Sequence, residues 1–227
     1  MINKLTIIKP NDMHVHFRDN DLLSLVVPET DKRYENCVVM PNLVPPITSG
    51  KMAIDYLTRI TKHIKFGLKP MMTLYLTKDI DISDMISSFQ KKIIFALKLY
   101  PQGATTNSEK GVKNFESIFS ILASMEEHDI PLLIHGEDTD KHIDIFDREK
   151  SFIDKYLIKI RDNFPKLRVV LEHITTSDAI QFVKENINIA ATITPHHLAS
   201  NRNDIFLGGI RPHLYCLPIL KRKSHQE

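Results

Sequence analysis

The sequence runs to 227 residues, 42% of them hydrophobic, which is enough chain for one large domain or two small ones with a sizeable core. Thirty basic against 28 acidic side chains leave a formal charge of +2, and basic runs are as short as Lys221-Arg222-Lys223, so no basic strip of the kind that holds nucleic acid is present. Nowhere do about 18 apolar residues run together, the opening MINKLTIIKPND has too short an apolar segment for a signal peptide, and Cys37 and Cys216 lack CxxC spacing. These features point to a globular cytoplasmic protein in a reducing compartment, with neither a membrane nor a nucleic acid as partner.

Taken in chain order, the first element is the run MHVHF at 13–17, whose alternation is the strand period. As a strand it turns His14 and His16 to one face and Met13, Val15 and Phe17 to the other. Two imidazoles on one face make half a metal site, although alternating histidines also occur on polar strand faces. Further β-branched apolar runs at 37–42, 71–77, 93–100, 131–137, 168–174 and 189–194 bring the strands to seven. Between them, 50–64, 81–92, 113–129, 149–164 and 176–186 carry the helical period. This βα alternation, with strands apolar on both faces, predicts a parallel sheet covered by helices. The Gly-rich turn that marks a doubly wound sheet is absent in a chain with seven glycines, so a barrel fits better. No linker, internal repeat or low-complexity tract divides residues 1–227, which are read as a single domain.

In a (β/α)8 barrel the chemistry sits at the C-terminal ends of the strands. Those ends supply His14 and His16, then Asn42, Lys98, His135 and His173. A lone histidine there is more often a hydrogen-bonded core residue, and a lone lysine more often snorkels to the rim. Four histidines and a lysine at the same end of four strands leave that reading little room. Lys98, set among apolar neighbours, is costly to bury as a cation unless something neutralises it.

The stretches HVHFRD, VVMPNLVPP, ALKLYP followed by ATTNS, LLIHGE, FDRE, LEHITT, AATITPHHL, NRND and GGIRPHLYCLPILKR occur in this order up to about Arg222. Together they resemble the dihydroorotases of compact monofunctional type, in the amidohydrolase superfamily. The resemblance implies a (β/α)8 TIM barrel of the metal-dependent hydrolase type and the reversible conversion of (S)-dihydroorotate and water to N-carbamoyl-L-aspartate in pyrimidine biosynthesis. It implies two zinc ions, one held by His14 and His16 and the other by His135 and His173, bridged by Lys98 as N6-carboxylysine. For the small-molecule substrate it implies Arg18 and Asn42 gripping the carboxylate, Thr105 and Thr106 donating from a mobile loop over 100–111, and the backbone of Leu217 touching the ring. A surface salt bridge with Asp19 is the competing role for Arg18, and a plain connection that for the loop. Arg18 with Asn42 also argues against a hydantoinase-like amidase. His196 and His197 are read as structural, and the family's habit makes a homodimer the candidate assembly.

Members of this family continue through an eighth strand, whose aspartate ligates the first zinc and shuttles the proton. The 227 residues supply seven strands, and Asp138, Asp140 and Asp204 are misplaced for that role. The expectation is therefore a barrel truncated after about seven strands, with unpaired edges and no catalytic residue of its own. Loss of such a base costs about 10² to 10⁴ in rate. The alternative to an active dihydroorotase is thus a catalytically impaired relic or fragment that retains partial metal binding.

Overall fold

The structure is a computed structural model and describes residues 4–227. The chain divides into two compact units, one formed by residues up to Tyr75 with Ser83–Ala96, the other by Leu76–Ile82 with Leu97–Glu227.

The first unit carries β1 (Asp12–Val15), α1 (Asp21–Asp31), β2 (Asn36–Val39), α2 (Gly50–Thr61), β3 (Lys69–Tyr75) and nearly all of α3 (Ile82–Gln90). The strands are parallel: β1 pairs with β2 from Asp12 opposite Cys37 to Val15 opposite Val39, and β2 with β3 from Asn36 opposite Lys69 to Val39 opposite Met72. The end of β2 and the second half of β3 are buried, as strands covered on both faces must be. Ala53, Tyr56 and Ile60 form the buried face of α2, which Ser49 caps by accepting from the Met52 amide. The hydrophobic pattern does not announce α1, because Pro28 in its interior removes a backbone donor, yet Leu23 and Val27 bury an i,i+4 pair there. Beyond α1, the buried Asp31 carboxylate accepts from the amides of Lys65 (2.6 Å), Phe66 (2.8 Å) and Leu68 (2.9 Å), fixing the entry to β3. Burial pushes the Asp31 pKa up, but these three donors outweigh it and hold the group below the usual carboxylate range.

The second unit continues with β4 (Ala96–Leu99, of which Ala96 belongs to the first unit), α4 (Phe119–Glu127), β5 (Leu132–His135), α5 (Arg148–Phe152), α6 (Ile158–Asn163), β6 (Val169–Glu172), α7 (Ser177–Glu185) and β7 (Ile189–Ala191). These four strands pair in parallel in chain order. Every residue of β4 and β5 is buried, whereas β7 is half-buried to exposed. Ile153–Leu157 widens to a π-helical turn, joining α5 and α6 into the one helix expected over 149–164. The guanidinium of Arg161 closes the turn after α6 by donating to the carbonyls of Phe164, Pro165, Leu167 and Ile187. All seven expected strands are present. All but β3, which keeps its run's length but starts two residues earlier, are shorter than the apolar run that signals them, because the residues just past the ladder leave the sheet to carry the polar groups. Among the described residues no helix is long and apolar enough to cross a membrane.

Candidate metal centre

In the first unit, β1 and the residue beyond it place Nε2 of His14 3.1 Å from Nε2 of His16. Two nitrogens on a tetrahedral zinc, each about 2.05 Å from the metal, stand about 3.3 Å apart, so the spacing suits one shared cation. Asn42, buried past β2, sets its Oδ1 2.9 Å from Nδ1 of His16. An amide oxygen only accepts, so that nitrogen holds the proton and Nε2 holds the lone pair a metal needs. Arg18 lies in the left-handed region at φ 60, and the Tyr56 hydroxyl donates to its carbonyl at 2.5 Å. Asp19 is engaged by Arg59 through paired bonds of 2.9 and 2.8 Å, which removes it as the partner considered for Arg18. Nη1 of Arg18 is buried with no hydrogen-bond partner among the described residues.

In the second unit, Lys98 is fully buried in β4, ion-paired with Glu172 at the end of β6 and 4.8 Å from the centre of the Tyr100 ring. Burial draws the Lys98 pKa below the ordinary lysine value, opposed by the Glu172 charge. The partner that Lys98 requires on burial is therefore supplied here by Glu172, 74 positions along the chain. His135 ends β5, directly opposite Glu172 in the ladder, and donates from Nε2 to the Glu137 carboxylate at 2.7 Å, leaving Nδ1 as its lone-pair nitrogen. His173 follows β6 at φ 43, and its ring lies edge-on to that of His135 with centroids 4.7 Å apart. Lys98, His135 and His173 are thus brought together within this unit, with Glu137 and Glu172 as additional members. The signal for both glutamates was available: each is an acid in or beside an apolar strand, as Lys98 is a base in one.

Thr105 is half-buried and Thr106 exposed on the loop that follows β4. Its composition suggests mobility, but it is clasped at its base, where Val112 donates to Tyr100 O (2.8 Å) and Gln102 to Val112 O (3.0 Å). At its centre the buried Ser108 hydroxyl accepts from the Thr105 amide (2.9 Å) and donates to the Thr105 carbonyl (2.5 Å). Leu217 is half-buried and precedes Pro218, whose carbonyl accepts from Nε2 of His197 at 2.8 Å. The other nitrogen of His197 meets the Thr194 hydroxyl, and burial lowers the pKa of the ring to about 4. His196 and Cys216 lie close enough to form a donor cluster with it, but both of its nitrogens are already engaged, in keeping with a structural role.

No family model matches the chain. The dihydroorotase of Idiomarina loihiensis is 52% identical over 229 residues, covering 100% of this chain and 67% of that protein. That of Synechocystis is 53% identical, covering 99% and 66%. Among solved structures, dihydroorotase from Campylobacter jejuni superposes with a TM-score of 0.88 at 40% identity, over 95% of this chain and 63% of that one. The Saccharomyces cerevisiae dihydroorotase in complex with 5-fluoroorotic acid gives 0.86 at 32% identity, over 96% and 63%. L-Hydantoinase from Arthrobacter aurescens, at 14% identity and a TM-score of 0.79, shares the fold alone. The chain spans about two thirds of the length of the curated relatives it matches. The α/β fold is the expected barrel type, with seven parallel strands of it present, and the chain belongs to the dihydroorotase family.

Proposed function

We propose that this chain carries the metal-binding and substrate-gripping machinery of a zinc-dependent cyclic amide hydrolase, interconverting (S)-dihydroorotate and N-carbamoyl-L-aspartate in pyrimidine biosynthesis. The observation that supports it best is the 3.1 Å approach of His14 Nε2 to His16 Nε2, with Asn42 setting the tautomer of His16. Imidazole nitrogens with a carboxylate-like oxygen are a donor set that suits zinc. In this reading His14 and His16 would hold one ion and His135 and His173 the other, with Lys98, as its carbamate, as a further ligand. When bound, the ions lower the pKa of a water and polarise the ring amide carbonyl.

The chain's own groups account for the rest. Its lowered pKa favours the neutral amine of Lys98, the form whose lone pair bonds to the carbon of CO₂; the nitrogen then loses a proton and the group becomes an anion. That anion would share a buried site with Glu172, so modification and cation binding go together. The buried, unpartnered Nη1 of Arg18 suits a substrate carboxylate, which a guanidinium binds in bidentate fashion. Asn42 and the hydroxyls of Thr105 and Thr106 add donors to that carboxylate, the Leu217 backbone borders the ring, and a homodimer is the candidate assembly.

The test is hydrolysis of dihydroorotate by protein loaded with Zn²⁺ and bicarbonate, beside zinc-stripped protein and Arg18→Ala. Turnover should require zinc, and Arg18→Ala should raise KM while leaving zinc content unchanged. Full activity without metal would refute the proposal.

A further inference from the structure

We infer that Glu149 is a positioning residue for His173: its buried carboxylate clamps the Thr175-Thr176 turn on which that metal ligand is carried. The inference rests on the metal-binding role proposed above. His173 adopts a left-handed backbone at φ 43, which a non-glycine residue holds only when its surroundings impose it. On one side, Thr192 imposes it by accepting from the amides of His173 (Oγ1, 2.8 Å) and Ile174 (O, 2.9 Å). On the other side stands Glu149, 2% exposed and within α5. The Thr175 amide donates to both of its oxygens (3.0 and 2.9 Å), the Thr175 hydroxyl to Oε2 (3.0 Å) and the Thr176 hydroxyl to Oε1 (2.5 Å).

Three donor groups from two consecutive residues therefore converge on one buried carboxyl group, and all of them donate to it. A glutamine would turn an NH₂ against at least one of them. The Thr176 hydroxyl also accepts from the Ala179 amide, capping α7, so the turn is pinned at both ends. The contact joins the FDRE and LEHITT stretches, which the proposed chemistry otherwise leaves unconnected. Groups that orient a metal ligand typically cost about 10- to 100-fold in metal affinity when removed.

The test is competition for Zn²⁺ between a chromophoric chelator and wild-type protein, Glu149→Gln, Thr175→Ser and Thr175→Val, with thermal melts and the visible spectrum of Co²⁺-loaded protein alongside. Glu149→Gln should weaken one of two bound zincs about 10- to 100-fold, leave the other unchanged and alter the Co²⁺ spectrum. Thr175→Ser should match wild type and Thr175→Val should fall between. A lower melting temperature with both zinc affinities and the Co²⁺ spectrum unchanged would reduce Glu149 to a scaffold residue and overturn the inference. Should Glu149→Gln fail to fold, wild-type zinc affinity in Thr175→Val overturns it equally. If Glu149→Gln loses affinity at neither site while wild type binds two zincs, the inference alone fails; a wild type that binds no zinc sinks the proposed function as well.

Discussion

Replacing Asn42 by leucine keeps the approximate shape of a side chain that is 1% exposed and deletes the oxygen 2.9 Å from Nδ1 of His16. The imidazole then faces two poor options. It can keep its proton on Nδ1 as a buried donor without an acceptor, at a cost of about 1–3 kcal/mol, or move the proton to Nε2, the nitrogen that faces His14. Either way zinc affinity at His14 and His16 should fall about 10- to 100-fold, equivalent to about 1.4–2.7 kcal/mol. Chelator competition measures this directly. A double-mutant cycle isolates the coupling, because on a His16→Ala background Asn42→Leu should change affinity by less than about twofold. Unchanged zinc affinity with a raised KM for dihydroorotate would show that Asn42 serves the substrate alone, as its sequence position suggested, and would refute the orienting role.

Lys98→Met removes the ammonium that is ion-paired with buried Glu172, so melts of the metal-free protein should show a loss of about 3–5 kcal/mol, which a second change of Glu172→Leu largely restores. Melts indistinguishable from wild type would contradict this. Because the Asp31 pKa is lowered on folding, its contribution is complete above the unfolded value of about 3.9 and is lost as pH falls through the folded one. Asp31→Asn should accordingly cost about 2–4 kcal/mol at pH 7, with the gap to wild type shrinking in acid; urea titrations showing a constant gap would rule out the ionised acceptor. At Gly111 a Cβ would lie 2.4 Å from the Tyr100 carbonyl oxygen and 2.9 Å from that of Ser108, both backbone atoms. Gly111→Ala should therefore open the loop base and speed amide exchange at Gln102 and Val112, whereas exchange at wild-type rates would show the clasp to be unnecessary.

The strands and the polar residues at their ends were legible because both signals are local. A buried parallel strand is a short apolar run, and a histidine or lysine inside one stands out, as in LLIHGE and ALKLYP. What escaped was the identity of the partners. Glu172 meets Lys98, and Glu149 meets Thr175 and Thr176, across chain separations set by strand register and helix placement, which no single segment encodes. Helix α1 was hidden by Pro28, whose penalty is outweighed by the burial of Leu23 and Val27. The loop over 100–111 reads as mobile from its Gly, Thr, Asn and Ser content, and the same small polar residues supply the local bonds of Ser108 to Thr105 that shape its centre.

Anomalous scattering at the zinc edge, from crystals of the protein grown with Zn²⁺ and bicarbonate, probes the central assignment most directly. The expected result is two zinc peaks, one on Nε2 of His14 and His16 and one on His135 and His173, with the Lys98 side chain extended by a carboxylate between them. A map with no peak at those histidines, or with zinc only beside His196, His197 and Cys216, would contradict it.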